Sequence, residues 1–503
     1  MDPPPFLASL SPVGVHWAII LLKYPSCRKL SPRFTDYPHS HGGDVIFQKL
    51  RTVLFILPIL FLILHTFFPK NIFAEGFRIL DHGASATGQA AAFSAQADDA
   101  SAIHYNPAGM AHLEGIQFSG GALFIGGDIR FKSASGGKVK GDFDGAIANP
   151  PPSTVFLTAH LPALGLHNLP NWTAGIGVTI PYALRIDYPD NSPIAPINTH
   201  AALPLIDIKP TLAYKLNDYL SVGGGLDIYT FASFLGEGHG EFRRRNNGID
   251  QEANGTDTAL GFNTSLLLTP IRNDVGKPLV NLGFVYRNGA DLKLKGDFRA
   301  NGALVADART TVELPDIYTW AIAGWPIRNK RHEWKIEVDV EYADWTDFKD
   351  LDLHLSNFKD PNLPPGFVQT ESQPRNYNDT WLLLLGTEFK ALSPPALPNW
   401  DVALRAGYIR SETPIPNRTF EPAVPDSDYN AFSVGLGFLC QGTGKFLGLL
   451  PCKGFGAKSI GLDLAYQVLL YETRNITNNQ DPRLNGKWDT TLHVGALTFR
   501  MNF

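Results

Sequence analysis

Lys335, Glu337, Asp339 and Glu341 occupy every second position between Trp334 and Tyr342, and Ile336, Val338 and Val340 fill the gaps between them. Residues two apart share one face of a strand, so this stretch carries a row of charge on one side and a row of apolar groups on the other. Such a charged row cannot enter a sandwich core without a large desolvation cost. It can line a water-filled lumen. A solvated face of a soluble sheet also accounts for the charges, but less readily for the aromatic residues at the two ends, which are the type that anchors at membrane surfaces.

Other residues capable of chemistry lead to narrower readings. A hydrolase needs a serine activated by a histidine and an orienting partner. No Gly-x-Ser-x-Gly elbow occurs, and His104, His112 and His493 have no neighbouring pattern that points to a nucleophile. A barrel lipase or esterase therefore stays an alternative, separable by an ester-hydrolysis assay. No phosphate-binding Gly-x-x-x-x-Gly-Lys-Ser/Thr motif appears and no zinc-type Cys/His spacing, so neither a cofactor nor a metal is expected. Cys440 and Cys452 flank a glycine-rich stretch. In an oxidising compartment they can form a disulfide, contributing on the order of 3 kcal/mol; two free thiols are the alternative.

The elements that carry these residues are strands. Trp400, Val402, Leu404, Ala406 and Tyr408 alternate with Asp401, Ala403, Arg405 and Gly407. Phe432, Val434, Leu436 and Phe438 alternate with Ala431, Ser433, Gly435 and Gly437, small inner residues that leave room for a plug or a ligand. The pattern recurs about fourteen times, near 115–129, 150–161, 171–184, 205–215, 219–230, 257–270, 279–298, 315–326, 332–346, 378–390, 399–410, 430–440, 458–471 and 490–503. Connections alternate between short (216–218, 327–331) and long (185–204, 231–256, 347–377, 411–429, 472–489), the rhythm of periplasmic turns and outer loops. At the end of the chain Leu497, Phe499, Met501 and Phe503 share one face. A last strand closing on Phe resembles the terminal strand of bacterial outer-membrane barrels, where it serves the barrel assembly machinery as a signal. The reading is all-β: a 14-stranded antiparallel transmembrane barrel over residues 115–503.

Composition agrees. A mean hydropathy of −0.07 is too low for a bundle of membrane helices. A net charge of −5 argues against nucleic acid as a partner. One apolar run, residues 53–68, follows Lys49 and Arg51 and precedes Ala74. It is short for a span and contains Pro58, so residues 1–74 read as an N-terminal extension plus a signal peptide cut after Ala74. Residues 1–48 show no period, which places the expected translation start nearer residues 45–50. Residues 75–114, rich in Ala, Gly and Ser, break the strand pattern. They could fold into the lumen as a plug or stay a periplasmic arm.

Glu75-Gly-Phe-Arg, Gly88-Gln-Ala, Ala97-Asp-Asp-Ala-Ser-Ala and Tyr105-Asn-Pro-Ala-Gly109 are followed by Asn171-Trp-Thr-Ala-Gly-Ile-Gly, Lys209-Pro-Thr-Leu-Ala-Tyr-Lys-Leu-Asn-Asp218, Glu313-Leu-Pro-Asp316, Tyr342-Ala-Asp-Trp345 and Pro414-Ile-Pro-Asn417. With these motifs the chain resembles the FadL/OmpP1/TodX family of outer-membrane transporters of long-chain fatty acids and hydrocarbons. The resemblance spans residues 75–503. It implies a monomeric Gram-negative outer-membrane barrel sealed by a hatch over 75–114. Hydrophobic cargo is caught by outer loops, held in a pocket and released sideways into the membrane at a kinked third strand. That route spares an apolar solute about 0.8 kcal/mol of water exposure per CH₂. On this chain the resemblance assigns Phe77 to the pocket. It places Asn106, Pro107 and Ala108 beside the third-strand gap. Gly175, Gly177 and Pro181 supply the kink, since proline removes a ladder donor and glycine weakens pairing.

Where fatty-acid members hold a carboxylate with cations, Tyr229-Thr-Phe-Ala-Ser-Phe-Leu235 has none before Arg243-Arg-Arg245. That departure points to apolar cargo, with Phe231, Phe234 and Leu235 as pocket contacts and the arginine run as a loop tip facing lipopolysaccharide or solvent. A general diffusion porin is the other alternative, and the hatch-like segment speaks against it.

Overall fold

A computed structural model describes residues 75–143, 153–231, 238–359, 369–446, 448–454 and 456–503. The expected leader, with its cleavage point, and the pocket candidates Phe234 and Leu235 lie outside the described residues. Fourteen strands form the wall: β1 (Ile116–Ser133), β2 (Thr154–His160), β3 (Trp172–Asp187), β4 (His200–Lys215), β5 (Leu220–Phe231), β6 (Ala259–Arg272) and β7 (Pro278–Arg287). They continue through β8 (Asp316–Arg328), β9 (His332–Asp344), β10 (Thr380–Leu392), β11 (Trp400–Ser411), β12 (Tyr429–Gln441), β13 (Ser459–Tyr471) and β14 (Gly486–Asn502). Each pairs antiparallel with the next. β14 returns to β1 in an unbroken register from Gln117↔Asn502 to Ser133↔Gly486, which closes the cylinder. Closure matters because a backbone group facing hydrocarbon has no water to bond.

The two faces follow the alternation. On β6, Leu260, Phe262, Leu266 and Leu268 are exposed while Asn263, Ser265 and Thr269 are buried. Tyr286, Tyr318, Tyr342 and Trp381 form an outward aromatic belt, with neighbouring ring centres 4.9 Å, 6.1 Å and 4.9 Å apart. The Tyr286 and Tyr342 hydroxyls donate to Asp316 and Asp379, each at 2.8 Å, so these two rings each have one polar end, as suits a membrane interface.

Several strands run beyond the sequence-based bounds, because their outer ends leave the membrane and continue into loop hairpins. The expected single strand 279–298 is two. β7 stops at Arg287, and Asp291–Ala300 turns outward to pair with Ala303–Glu313. The break falls at Gly289, whose amide donates to Asp316 Oδ1 at 2.7 Å and where a Cβ would lie 2.1 Å from the Leu314 carbonyl oxygen. A second hairpin, Gly240–Asn246 with Ile249–Gly255, rises between β5 and β6.

The charged row of β9 does not line open water. Lys335, Glu337 and Asp339 are all but fully buried. Their partners are backbone groups of the segment that precedes the wall. Asp339 accepts from the Phe93 and Ser94 amides at 3.2 and 3.0 Å, and Glu337 from those of Ala95 and Gln96 at 2.6 and 3.2 Å. Small inner-face residues make room for the same segment. A Cβ on Gly407 would lie 2.3 Å from the Gln89 carbonyl carbon, and one on Gly435 would lie 2.9 Å from the Gly88 Cα.

Candidate functional site

β3 holds the wall's irregularity. Its pairing with β4 slips by one residue between Thr179 and Tyr182, where Ile180 and Pro181 together stand opposite the single residue Ile206. On its other edge β3 pairs with β2 only from Thr173 to Val178. β2 is short, and β1 pairs with it only up to Gly121. Farther out, β1 from Asp128 to Lys132 pairs with Lys138–Asp142, and Asp142 meets Asp187 at the far end of β3. Among the described residues this leaves a window between β1 near Ile125 and β3 near Ala183, bounded below by β2 and above by that hairpin.

The chain's own early residues bond to β3 at this window. Ile79 donates to the Pro181 carbonyl at 2.8 Å and the Ala183 amide donates to the Phe77 carbonyl at 3.2 Å, so Arg78 lies opposite Tyr182 as in a short antiparallel pair. Arg78 then bridges Glu75 at 3.2 Å and Glu341 at 2.5 Å. The Gly76 amide donates to Asp426 at 3.2 Å. Burial pushes the Glu75 carboxyl up to about 8 against the pull of Arg78, and burial likewise pushes Asp426 up to about 7.

Phe77 separates two cavities. The outer one holds about 940 Å³ of empty space, open solvent at its mouth included. Leu203, Phe242, Leu294, Phe348 and Tyr377 line it. The inner one, about 800 Å³, is lined by Ile125 and Ala183 from the window edges together with Leu469 and Val494. Phe77 itself packs against Tyr182, Trp345 and Phe348 with ring centres 5.9, 5.3 and 6.2 Å away.

The other expected residues fall differently. Asn106, Pro107 and Ala108 do not sit beside the third-strand gap. Asn106 Nδ2 donates to the Ser94 and Leu266 carbonyls at 2.7 and 3.2 Å, and its Oδ1 accepts from Ala108 N. Ala108 N also donates to Ser265, and its carbonyl accepts from Ser221. A Cβ on Gly223 would lie 2.4 Å from Pro107, so this turn is seated on β5 and β6. Ile103 and Met110 take the place beside β3. They fill the space where side chains at Gly175 and Gly177 would stand. Those two glycines pair regularly on both edges, so the slip belongs to Ile180-Pro181 alone.

Phe231 is buried opposite Leu205 but lines neither cavity. The outer cavity is built instead by the loop hairpins and by residues 347–377, where no period announces a buried side chain. Two cations missed in the sequence are there, the exposed Arg309 and the buried Arg375. Arg375 lies at the lining, 3% exposed, with its guanidinium 2.8 Å from Glu421. The arginine run is matched by acids: Arg244 holds Glu371 with two bonds, and Arg245 lies 3.8 Å from Asp190 and 3.5 Å from Asp250. Cys440 and Cys452 are joined as a disulfide.

A closed even-stranded barrel with an apolar exterior and greasy cavities is an outer-membrane barrel protein of the hydrophobic-solute transporter class. The family described as "Outer membrane protein transport protein (OMPP1/FadL/TodX)" matches residues 66–503. The chain belongs to that family. It is 23% identical over 406 residues to the long-chain fatty acid transport protein of Escherichia coli O6:H1, covering 72% of this chain and 83% of the relative. In fold it is similar to a Pseudomonas aeruginosa FadL homologue (TM-score 0.64, 19% identity, 85% of this chain and 100% of the other). It is also similar to the Ralstonia pickettii toluene transporter TbuX (TM-score 0.58, 15% identity, 85% and 100%).

Proposed function

We propose that this protein carries uncharged apolar molecules passively across the outer leaflet and releases them sideways through the β1–β3 window. Residues 75–114 act as the hatch. They are seated by wall carboxylates below and clipped to β3 above, so the bore is stoppered against ions and a diffusion porin is disfavoured. Cargo enters the outer cavity between the loop hairpins, passes Phe77 into the inner cavity, and leaves past Ile125 and Ala183 into lipid. One observation carries this reading: the residues that edge the window also line the inner cavity. Apolar cargo is favoured because the buried lining cation, Arg375, is already neutralised by Glu421 at 2.8 Å, while Arg309, also at the lining, is exposed to solvent. A buried pair of this kind gives up its partner only at a cost of several kcal/mol.

A second reading, a long-chain fatty acid held on Arg375, draws on the position of that residue and on the cargo named for the Escherichia coli relative. Binding to purified protein of a fatty acid and of its hydrocarbon analogue separates the two, and a strong preference for the acid overturns the apolar assignment. The route is tested by Ala183→Trp, which fills the window edge. Uptake is expected to fall at least tenfold with the barrel still heat-modifiable on gels; normal uptake would refute lateral release at this place.

A further inference from the structure

The rim where the chain ends carries a device that the transport route does not use. Cys440 and Ile460 have the parity of lipid-facing positions: on their strands Phe432, Val434, Leu436, Leu464 and Tyr466 are exposed. Yet Cys440 is 0% and Ile460 1% exposed. What covers them is the connection between β12 and β13, folded back over the outside of the wall. Within it Lys445–Phe446 pairs with Leu450–Pro451. Phe446 packs against Trp400 and Phe499, both on the outward face, with ring centres 5.8 and 6.1 Å away. The disulfide pins the base of this flap to β12.

The flap's free side has a definite chemistry. Leu449 is 82% exposed and Leu450 41%, an unusual pair for a turn in water. Lys445, Lys453 and Lys458 are exposed around them, and no Asp or Glu occurs anywhere from residue 440 to residue 458. Apolar tips ringed by lysines, laid against the lipid-facing side of a barrel rim, complement a leaflet of anionic headgroups over acyl chains.

We propose that the Cys440–Cys452 flap is an interfacial anchor that binds anionic phospholipid of the periplasmic leaflet. Leu449 and Leu450 enter the acyl boundary, and the lysines meet the phosphates. The assignment rests on the orientation that the loop lengths imply, with the short turns and the terminal rim facing the periplasm, but not on the lateral route or the cargo.

The test uses the full mature chain. A photo-crosslinking benzoyl-phenylalanine replaces Leu449 in cells, and adducts are identified by mass. A phospholipid adduct is expected. A lipopolysaccharide adduct, a protein adduct or no adduct overturns the proposal. In parallel, wild type and Lys445→Glu/Lys453→Glu protein are exposed to vesicles of phosphatidylcholine with and without phosphatidylglycerol, and co-purifying phosphatidylglycerol is counted by native mass spectrometry. Retention should fall at least fivefold for each lysine lost. Equal retention refutes the flap as the binding site, and Ala183→Trp, which touches only the window, is expected to leave it unchanged.

Discussion

Replacing Glu337 with alanine asks whether wall carboxylates seat the N-terminal segment. Glu337 Oε1 accepts from the Ala95 and Gln96 amides at 2.6 and 3.2 Å, and its Oε2 lies 2.7 Å from Lys335 Nζ. A buried donor left without a partner costs about 1–3 kcal/mol. Two amides then weaken the seat by about 2–6 kcal/mol. Lys335 would keep the Ala92 carbonyl at 3.1 Å but lose its paired carboxylate, and breaking a buried ion pair is itself strongly destabilising. At about 1.4 kcal/mol per tenfold, even the lower bound raises the unseated population roughly 30-fold. Hydrogen exchange followed by mass spectrometry on the peptide containing Phe93–Gln96 reads that population directly, and planar-bilayer recording should show brief openings. Glu337→Gln keeps an acceptor oxygen and should lose less. If Glu337→Ala leaves the protection of Ala95 and Gln96 unchanged, the carboxylates are not what holds the segment.

Pro181→Val restores a donor to β3 where it now carries the one-residue slip, so the window should narrow and uptake should drop several-fold with assembly intact; unchanged uptake would count against Pro181 as its determinant. The clip at the window should loosen with rising pH. Asp426 and Glu75 have folded values of about 7 and 8, above their unfolded ones near 4, so each binds its proton more tightly in the folded state. The stability they lend is complete below about pH 4 and is lost as pH rises through 7 to 8. Trypsin cleavage after Arg78, normalised to an unfolded peptide, should therefore accelerate between pH 6 and pH 9, and Asp426→Asn should flatten part of that slope. A flat wild-type profile would refute it.

The wall was legible because its physics is local. Period-two alternation in Trp334–Tyr342 or Trp400–Tyr408 needs only neighbours along the chain. The strand number, the alternation of loop lengths and the outer-membrane setting followed from it. Strand ends were less so, since β3 and β14 keep the same alternation after leaving the membrane. The break at Asn288-Gly289 was hidden by Leu292 and Leu294 continuing a similar pattern beyond it. The charges of β9 were correctly placed on the inner face but given to water. Their partners are main-chain amides, which have no residue type to read. Asn106 was misplaced for a related reason: it recognises the Leu266 carbonyl, 160 residues away. The cavity lining came from irregular loops, where Arg375 and Phe348 carry no periodic mark.

The clip between residues 76–84 and the far end of the chain also fixes an order in time. The Gly76 amide waits for Asp426, 350 positions later, and the Ala84 amide for Thr498, 414 positions later. The first contact can form only once the chain has passed β11, and the second only once β14 is present. Loop closure over such separations is slow. On the proposed reading of residues 75–114 as a hatch, a half-built cylinder therefore lacks its stopper, and watertightness arrives as the final step of biogenesis rather than as an inherited property of each strand.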